Sequence, residues 1–425
     1  MRHVIVGASA AGMAAADAIR KRDPAAEIVM LSSEPRLPYF RPLIPYLIYD
    51  GKPASEITRQ PHLTPKNIRL RLDVRATSLD PARHILTMVD GTGGSEICAY
   101  DRLLLATGAS PIRPDIAGID GPGVFTLRTW EDALFIAEAA RGAAGAVVLG
   151  AGRIGMKSAF ALRHLGLNVT VVELLDRIVP QQLDIASAAI FAEAVAHAGI
   201  ETILGHSLVK VNRRGHRVTS VVLDDDRKLK ADLVVVGVGV RPNLDLAVTG
   251  GLRINHGLLV DERLRASAPD VFAAGDVVET NDIVTGESIV SGIWTNAAAM
   301  GRIAGDNMAG GDSAYEGAFG LLNAMELGGL PVVSVGDIHR ETGDGIEVFA
   351  ERRGPAPRYR KLVFRGNRLI GLVMVGEIER AGVYQTLIRE RADVSALRRE
   401  LLGPKFHYGH YIHSHPKAAD RYVRA

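Results

Sequence analysis

Two glycine turns are the places in this chain where residue type and spacing could do chemistry. The stretch GAGRIG sets Gly150, Gly152 and Gly155 at the spacing of a dinucleotide fingerprint. The first glycine permits a tight turn, the second lets backbone approach a pyrophosphate, and the third lets a helix pack closely on a strand. A helix starting there would also aim unpaired N–H groups and a positive dipole end at the phosphates. Glu173 ends the following strand, where a carboxylate accepts from adenosine ribose hydroxyls and repels the extra phosphate of NADP. NADH is therefore the expected ligand. The other turn, GASAAG, keeps Gly7 and Gly12 but carries Ser9 in the middle; Glu34, at the end of its second strand, restores the pattern. Two dinucleotides in one chain point to hydride transfer between a nicotinamide and a flavin.

Holding those turns requires a repeated strand–turn–helix–strand unit. The first copy reads HVIVG, ASAAG, MAAADAIRKR and EIVMLSSE; the second reads AVVLG, AGRIG, MKSAFALRHLG and NVTVVE. This is an internal repeat of a βαβ unit rather than a short-period solenoid. Further on, LVVVGVGV reads as a strand closing the second unit, and DVFAAGDV leads into the helix WTNAAAMGRIAGDNMAG. From about Asp312 the pattern turns β-rich, in LPVVSVGDI and KLVFRGNRLIGLVMVG. Helices are then expected around Tyr384–Arg391 and Val394–Leu402.

Composition narrows the class. A length of 425 residues exceeds one ordinary domain. A net charge of +2 implies no nucleic-acid partner. The single cysteine, Cys98, excludes a disulfide framework and a CxxC pair and fits a reducing cytoplasm. No apolar run reaches the roughly 18 residues of a membrane span. The N-terminus has the basic start and small residues of a secretion signal, but Asp17 interrupts it, so a cytoplasmic protein is expected. Four histidines, His407, His410, His413 and His415, cluster near the C-terminus. Their spacing does not put them on one helical face, and no metal site is expected.

Five motifs in order carry a family resemblance across essentially the whole chain. Besides the two turns they are YDRLLLATGASP with Thr107 and Gly108, LVVVGVGVRPN with Gly237 and Gly239, and VFAAGDV with Gly275 and Asp276. The sequence resembles the FAD/NAD(P)H-dependent pyridine nucleotide-disulfide oxidoreductases. The resemblance implies an α/β fold: two Rossmann-like dinucleotide-binding domains, glutathione-reductase-like, plus an α+β C-terminal domain. It implies an FAD-binding domain over 1–112 and 245–311, an NAD-binding domain over 113–244, and an interface or docking domain over 312–425. It implies that Glu34 holds the FAD adenosine ribose, that Asp276 holds the ribityl chain, and that the helix beginning near Trp294 points at the flavin pyrimidine. It also makes LPYFRPLIPYLI the segment lining the isoalloxazine, with Arg41 contacting FAD. The remaining cofactor contacts it implies are Ala10, Ala11, Val74, Ala106, Arg128, Arg153 and Ile154.

Where related disulfide reductases place a reactive cysteine, this chain has none. The cysteine-free subgroup resembles rubredoxin and ferredoxin reductases and the flavin modules of nitrite reductases. The expected function is thus NADH-linked electron transfer with a small carrier protein or an iron–sulfur subunit, in a homodimer or hetero-oligomer. Two alternatives stand beside it, a cysteine-free NADH oxidase using oxygen and a non-catalytic NADH-sensing scaffold. Lys157 stands where the family often has glutamate. It reads either as a catalytic partner of the reduced flavin or a nearby acid, together with Arg41, or as an exposed helix lysine. The basic hairpin with Arg360, Lys361, Arg365 and Arg368 reads as a docking patch for an acidic carrier or as a solvated hairpin.

Overall fold

The computed structural model describes residues 1–49, 51–58, 68–354, 357–403 and 406–414. The first parallel sheet has the strand order Val271–Ala273, Arg102–Leu105, Arg2–Val6, Glu27–Leu31, Ile68–Arg71. The second has the order Ile200–Leu204, Asn168–Glu173, Gly145–Leu149, Leu233–Val236, Val124–Thr126. Both central strands, RHVIV and GAVVL, are buried on both faces, which is why they are nearly unbroken apolar runs.

Helices cover and connect these sheets: α1 (Ala10–Arg22), α2 (Ala54–Ile57), α3 (Trp130–Ala140), α4 (Arg153–His164), α5 (Ile185–His197), α6 (Asp245–Thr249), α7 (Trp294–Met308) and α8 (Ala381–Arg389). Among the described residues no helix is long and apolar enough to cross a membrane.

The internal repeat runs deeper than the two βαβ units. Each parallel sheet is accompanied by a three-stranded antiparallel meander, Val74–Asp80 to Ser95–Ala99 in one and Leu208–Arg214 to Lys228–Lys230 in the other. The chain crosses between the two units twice. The crossings pair with each other as the short antiparallel strands Ala109–Pro111 and Val240–Pro242. We propose the domain boundaries after 112 and after 244 on that pairing.

The third sheet is antiparallel, in the order Leu322–Leu327, Leu330–Gly336, Arg368–Val375, Arg358–Arg365, Ile346–Arg353. Its strand RLIGLVMV is buried along almost its whole length because both faces are covered. Val373 and Val375 join the apolar cluster of the second unit, whereas Leu372 and Met374 pack with Tyr384, Leu387 and Phe406. Asp184 ties this sheet to the second unit. It caps α5 by accepting from the Ser187 N–H (3.1 Å), and it also accepts from the Tyr359 hydroxyl (2.6 Å) and pairs with Lys361 (3.5 Å).

Three sequence expectations need correction here. LVVVGVGV is not one strand: regular pairing stops at Val236, and Gly237 turns the chain against α4. Glu34 lies three residues beyond the end of its strand at Leu31, in the following loop. The basic hairpin is only half basic at its surface. Arg360 and Lys361 are 9% and 8% exposed, and Arg360 donates to Tyr384 Oη, to the carbonyls of Leu401, Leu402 and Gly403, and to Glu351. Only Arg365 and Arg368 remain at the tip, around the Gly366–Asn367 turn. A docking patch of four cations does not exist.

His3 sits in the centre of the first sheet, fully buried, and neither ring nitrogen has a partner among the described residues. Burial first, and then the nearby Arg102 charge, lowers its pKa from 6.5 to about 4. The unfolded chain therefore takes up a proton below pH 6.5 that the folded chain resists. Stability is full above pH 6.5 and falls progressively toward pH 4, by about 3 kcal/mol from this residue alone. Urea denaturation of His3→Leu should show a markedly shallower loss of stability between pH 6.5 and 4.5 than the parent. Parallel pH profiles would show that His3 is not the group responsible.

Candidate functional site

The two glycine turns are built alike. Each central strand ends at a glycine of positive φ, Gly7 (116°) or Gly150 (95°). A Cβ on Gly12 would lie 1.8 Å from the Gly7 carbonyl oxygen, and one on Gly155 would lie 1.8 Å from that of Gly150. Gly7 itself packs on Ala106, and Gly150 on Gly237, at distances no side chain allows. Those contacts seat α1 and α4 directly against their strands, with Ala10, Ala11, Arg153 and Ile154 in the first turns.

Neither helix caps itself. The N-cap Ser9 makes no side-chain cap bond, Gly152 cannot, and neither first turn contains an acid. The start of α7 at Trp294 is equally bare, with Ile293 as its N-cap. By contrast, α3 has a full Thr129–Asp132 capping box and α5 has Asp184. Three long helices thus present free N–H groups and positive dipole ends, as anion sites require.

Around the first turn lies a chain of charged groups. Arg41 pairs with Glu34 and donates to the Arg128 carbonyl (2.8 Å), to Tyr39 Oη (3.2 Å) and to Ser9 Oγ (3.3 Å). The Tyr39 hydroxyl donates to Glu34 (2.5 Å) and accepts the Trp130 N–H at the start of α3 (3.0 Å). Burial pushes that phenol well above its ordinary pKa, so it remains a donor at every working pH. Arg128 in turn binds Asp276 at 2.8 Å, beside Gly275, which has a φ of 86°. Glu34 and Asp276 are therefore linked through two arginines.

The segment Arg41–Leu47 is a 3-10 helix; Pro42 sits in its first turn, where no N–H partner is needed, and Pro45 removes the N–H that an α-helix would pair with the Arg41 carbonyl. Phe40 lies against Trp294 with ring centroids 5.7 Å apart. From α4, Lys157 donates to the Pro42 carbonyl at 3.2 Å. The exposed-lysine reading of Lys157 fails, since it is half-buried, and burial and then Arg153 lower its pKa.

Glu173 is 8% exposed and both its oxygens are engaged, by the N–H groups of Ala151 (2.6 Å) and Leu175 (3.0 Å). Each oxygen keeps a lone pair for a further donor. Val74 is buried with its N–H spent on the Ser32 carbonyl (2.9 Å). Thr107 Oγ1 donates to the Asn243 carbonyl, and Asn243 Nδ2 donates to that of Thr107, both at 2.9 Å. Gly108 (φ 69°) faces Arg128, and Gly239 (φ 119°) accepts the Ile112 N–H at 3.0 Å. Cys98 stands apart, buried in the first meander with its thiol pKa pushed up by burial. The rings of His407 and His410 lie 4.0 Å apart and tilted by 46°, His413 lies in the short helix Tyr408–Ser414, and His415 lies outside the described residues.

Sequence reasoning passed over Asn243, Tyr39 and the α1–α7 seam. A Cβ on Gly301 would be 2.1 Å from the Ala11 carbonyl oxygen, and one on Gly305 2.3 Å from that of Ala15. The signal was available: glycines four apart on α7 face a run of alanines on α1.

Residues 1–301 match the family described as pyridine nucleotide-disulphide oxidoreductase, and residues 322–392 match the rubredoxin NAD+ reductase C-terminal domain. The chain belongs to the pyridine nucleotide-disulphide oxidoreductase family and is an oxidoreductase that binds FAD and NAD(H). Among individual proteins, it is 33% identical over 422 residues to the NADH-dependent phenylglyoxylate dehydrogenase subunit epsilon of Aromatoleum evansii, covering 97% of each chain. It is 34% identical over 278 residues to the rubredoxin-NAD(+) reductase of Pseudomonas putida, covering 65% of this chain and 71% of that one. The solved NAD-dependent persulfide reductase of A. fulgidus superposes with a TM-score of 0.85 at 31% identity, over 93% of this chain and 78% of that chain.

Gly301→Ala tests the seam. In a free helix interior the change would stabilise by about 1 kcal/mol. Here overpacking costs about 1–3 kcal/mol and wins. The variant should melt at lower temperature and release FAD more readily, followed by the rise in free-flavin fluorescence. A higher melting temperature would mean the seam has room.

Proposed function

We propose that this protein moves electrons between NAD(H) and a one-electron protein partner, a rubredoxin, a ferredoxin or an iron–sulfur subunit. We also propose that it works as the flavin-bearing subunit of a larger oxidoreductase. The observation that carries this reading is the trio of uncapped helix starts at Ser9, Gly152 and Trp294. Two follow glycine turns with a carboxylate close by, and the third lies across from Phe40.

On this reading the turn of Gly7, Ser9 and Gly12 holds the FAD pyrophosphate, Glu34 the adenosine ribose and Asp276 the ribityl chain. Arg41 and Arg128 offset the phosphate charge. The turn of Gly150, Gly152 and Gly155 holds NADH, and Glu173 accepts from its ribose hydroxyls. FAD, when bound, supplies the exchange of a two-electron hydride for single electrons. The protein's part is to orient both dinucleotides, to supply N–H groups where negative charge accumulates, and to keep the flavin-lining segment in one conformation through Tyr39 and Arg41. The sequence holds one cysteine, Cys98, and it lies in the meander, so no thiol relay stands between flavin and acceptor. The end-to-end match with a dehydrogenase subunit supports membership of a complex.

NADH should reduce the bound flavin far more efficiently than NADPH. Glu173→Ala should lower the preference in kcat/KM by one to two orders of magnitude, roughly the 1.5–3 kcal/mol of a charged hydrogen bond. Equal efficiency of the two nucleotides with the parent would overturn the assignment.

Cys98→Ser and thiol alkylation should both leave NADH-driven ferredoxin reduction intact. Loss of that activity with FAD still bound would move the electron exit to the meander.

A further inference from the structure

The face of the first sheet turned away from α1 carries three arginines that the dinucleotide sites do not use. Ile5 lies toward Gly12 of α1, so alternation along Arg2–Val6 sends Arg2 and Val4 to the other face. In the parallel register Val29 stands beside Val4 and Arg69 beside Val29, on that same face, and Arg71 follows two residues on. Charges at such positions are unusual, because both faces of a parallel sheet are normally apolar. Between this face and the first meander lies a cavity of about 210 Å³, lined by Arg2, Arg69, Arg71, Glu96 and Cys98. Arg71 pairs with Glu96, and Arg2 stands 3.4 Å from Glu27. Arg69 has no acidic partner among the described residues, and Arg2 Nε is closed off from solvent without a hydrogen bond. Two carboxylates thus answer three guanidinium groups, and one positive charge is left over beside a confined polar space. The Cys98 thiol does not offset it, because burial raises its pKa and keeps it protonated.

Guanidinium groups from two different strands surround this space, and their N–H forks suit the several oxygens of a tetrahedral oxyanion. A planar carboxylate has two oxygens and would engage one fork at a time. The volume falls below the roughly 300–1,000 Å³ of pockets that hold drug-sized ligands, which fits a free ion and not a nucleotide. Arg2 also opens the strand that ends before Gly7, roughly 16 Å away at the usual rise per residue, so the glycine-turn pyrophosphate is a different anion. We propose that this cavity binds free inorganic phosphate, held by Arg2, Arg69 and Arg71 and bridging the first sheet to its meander. The site stands whether or not the protein's partner is a one-electron carrier.

The test uses the full chain loaded with FAD and saturated with NAD+, so that the anion sites at both glycine turns are filled. Cys98 is the only cysteine in the chain, so its alkylation by iodoacetamide reports on this cavity alone. Inorganic phosphate should slow that alkylation saturably, and sodium chloride of equal ionic strength should not. Equilibrium dialysis with labelled phosphate should show one saturable site per chain with the same midpoint. Arg69 is exposed and unpaired, so Arg69→Gln should leave the fold intact and weaken phosphate by at least about tenfold, the low end for a charged hydrogen bond. Arg2→Gln should weaken it likewise, and Arg69→Lys should keep part of the binding. Reduction of the flavin by NADH should be unchanged in Arg69→Gln, and AMP should not displace the phosphate. The proposal is overturned if the parent binds no phosphate saturably, if chloride protects Cys98 equally, or if Arg69→Gln is protected as well as the parent. It is also overturned if AMP displaces the ion, or if Arg69→Gln loses flavin reduction, which would put Arg69 in the dinucleotide machinery.

Discussion

The closeness of α1 to α7 is the constraint on which the rest of the first unit depends. Gly301 and Gly305 leave no side chain between the two helices, so backbone meets backbone at Ala11 and Ala15. Because α1 is itself locked to its strand by Gly12 on Gly7, the position of α7 is set relative to the sheet without adjustable parts. That geometry brings the bare starts of two helices, at Ser9 and Trp294, to one region, together with Asp276 and Arg41. Side chains in the seam would have packed as well in energy, but they would have moved those helix ends apart.

Charge does the finer positioning. Two ion pairs, Glu34 with Arg41 and Arg128 with Asp276, are joined through the Arg128 carbonyl, and Tyr39 fastens them to the first turn of α3. Removing one member would leave its neighbour partly buried and unpaired, which costs more than the pair contributes. The pairing of Asp184 with Lys361 and Tyr359 works in the same way at the third sheet. It selects one seating of that sheet from the many that a smooth apolar contact would permit.

What could be read from the sequence follows from how local each feature is. The glycine turns were legible because Gly7, Gly12, Gly150 and Gly155 answer to steric demands within a few residues. The strands LPVVSVG and RLIGLVMV were legible because burial on both faces leaves an apolar run. Arg360 and Lys361 were misread as surface charge, since their partners Glu351, Asp184 and the carbonyls near Leu402 come from other segments. Tyr39 was passed over for the same reason, because its meaning lies in Trp130, 91 residues away. The 3-10 form of Arg41–Leu47 was not legible, because Pro45 breaks α-helical pairing without distinguishing a 3-10 helix from an irregular loop.

The strand order of the first sheet also sets a timetable. Its edge strand Val271–Ala273 pairs with Arg102–Leu105, and the whole second parallel sheet, Val124 to Val236, is encoded between them. During synthesis that inner sheet can close as soon as its own residues have emerged. The first sheet must wait roughly ten to thirty seconds for its last strand and for α7. Until then the apolar side of α1 and the edge at Leu103 and Leu104 stand uncovered on the nascent chain. A protein built this way completes its second parallel sheet before the one that comes first in its sequence, and a chaperone's work would fall in that interval.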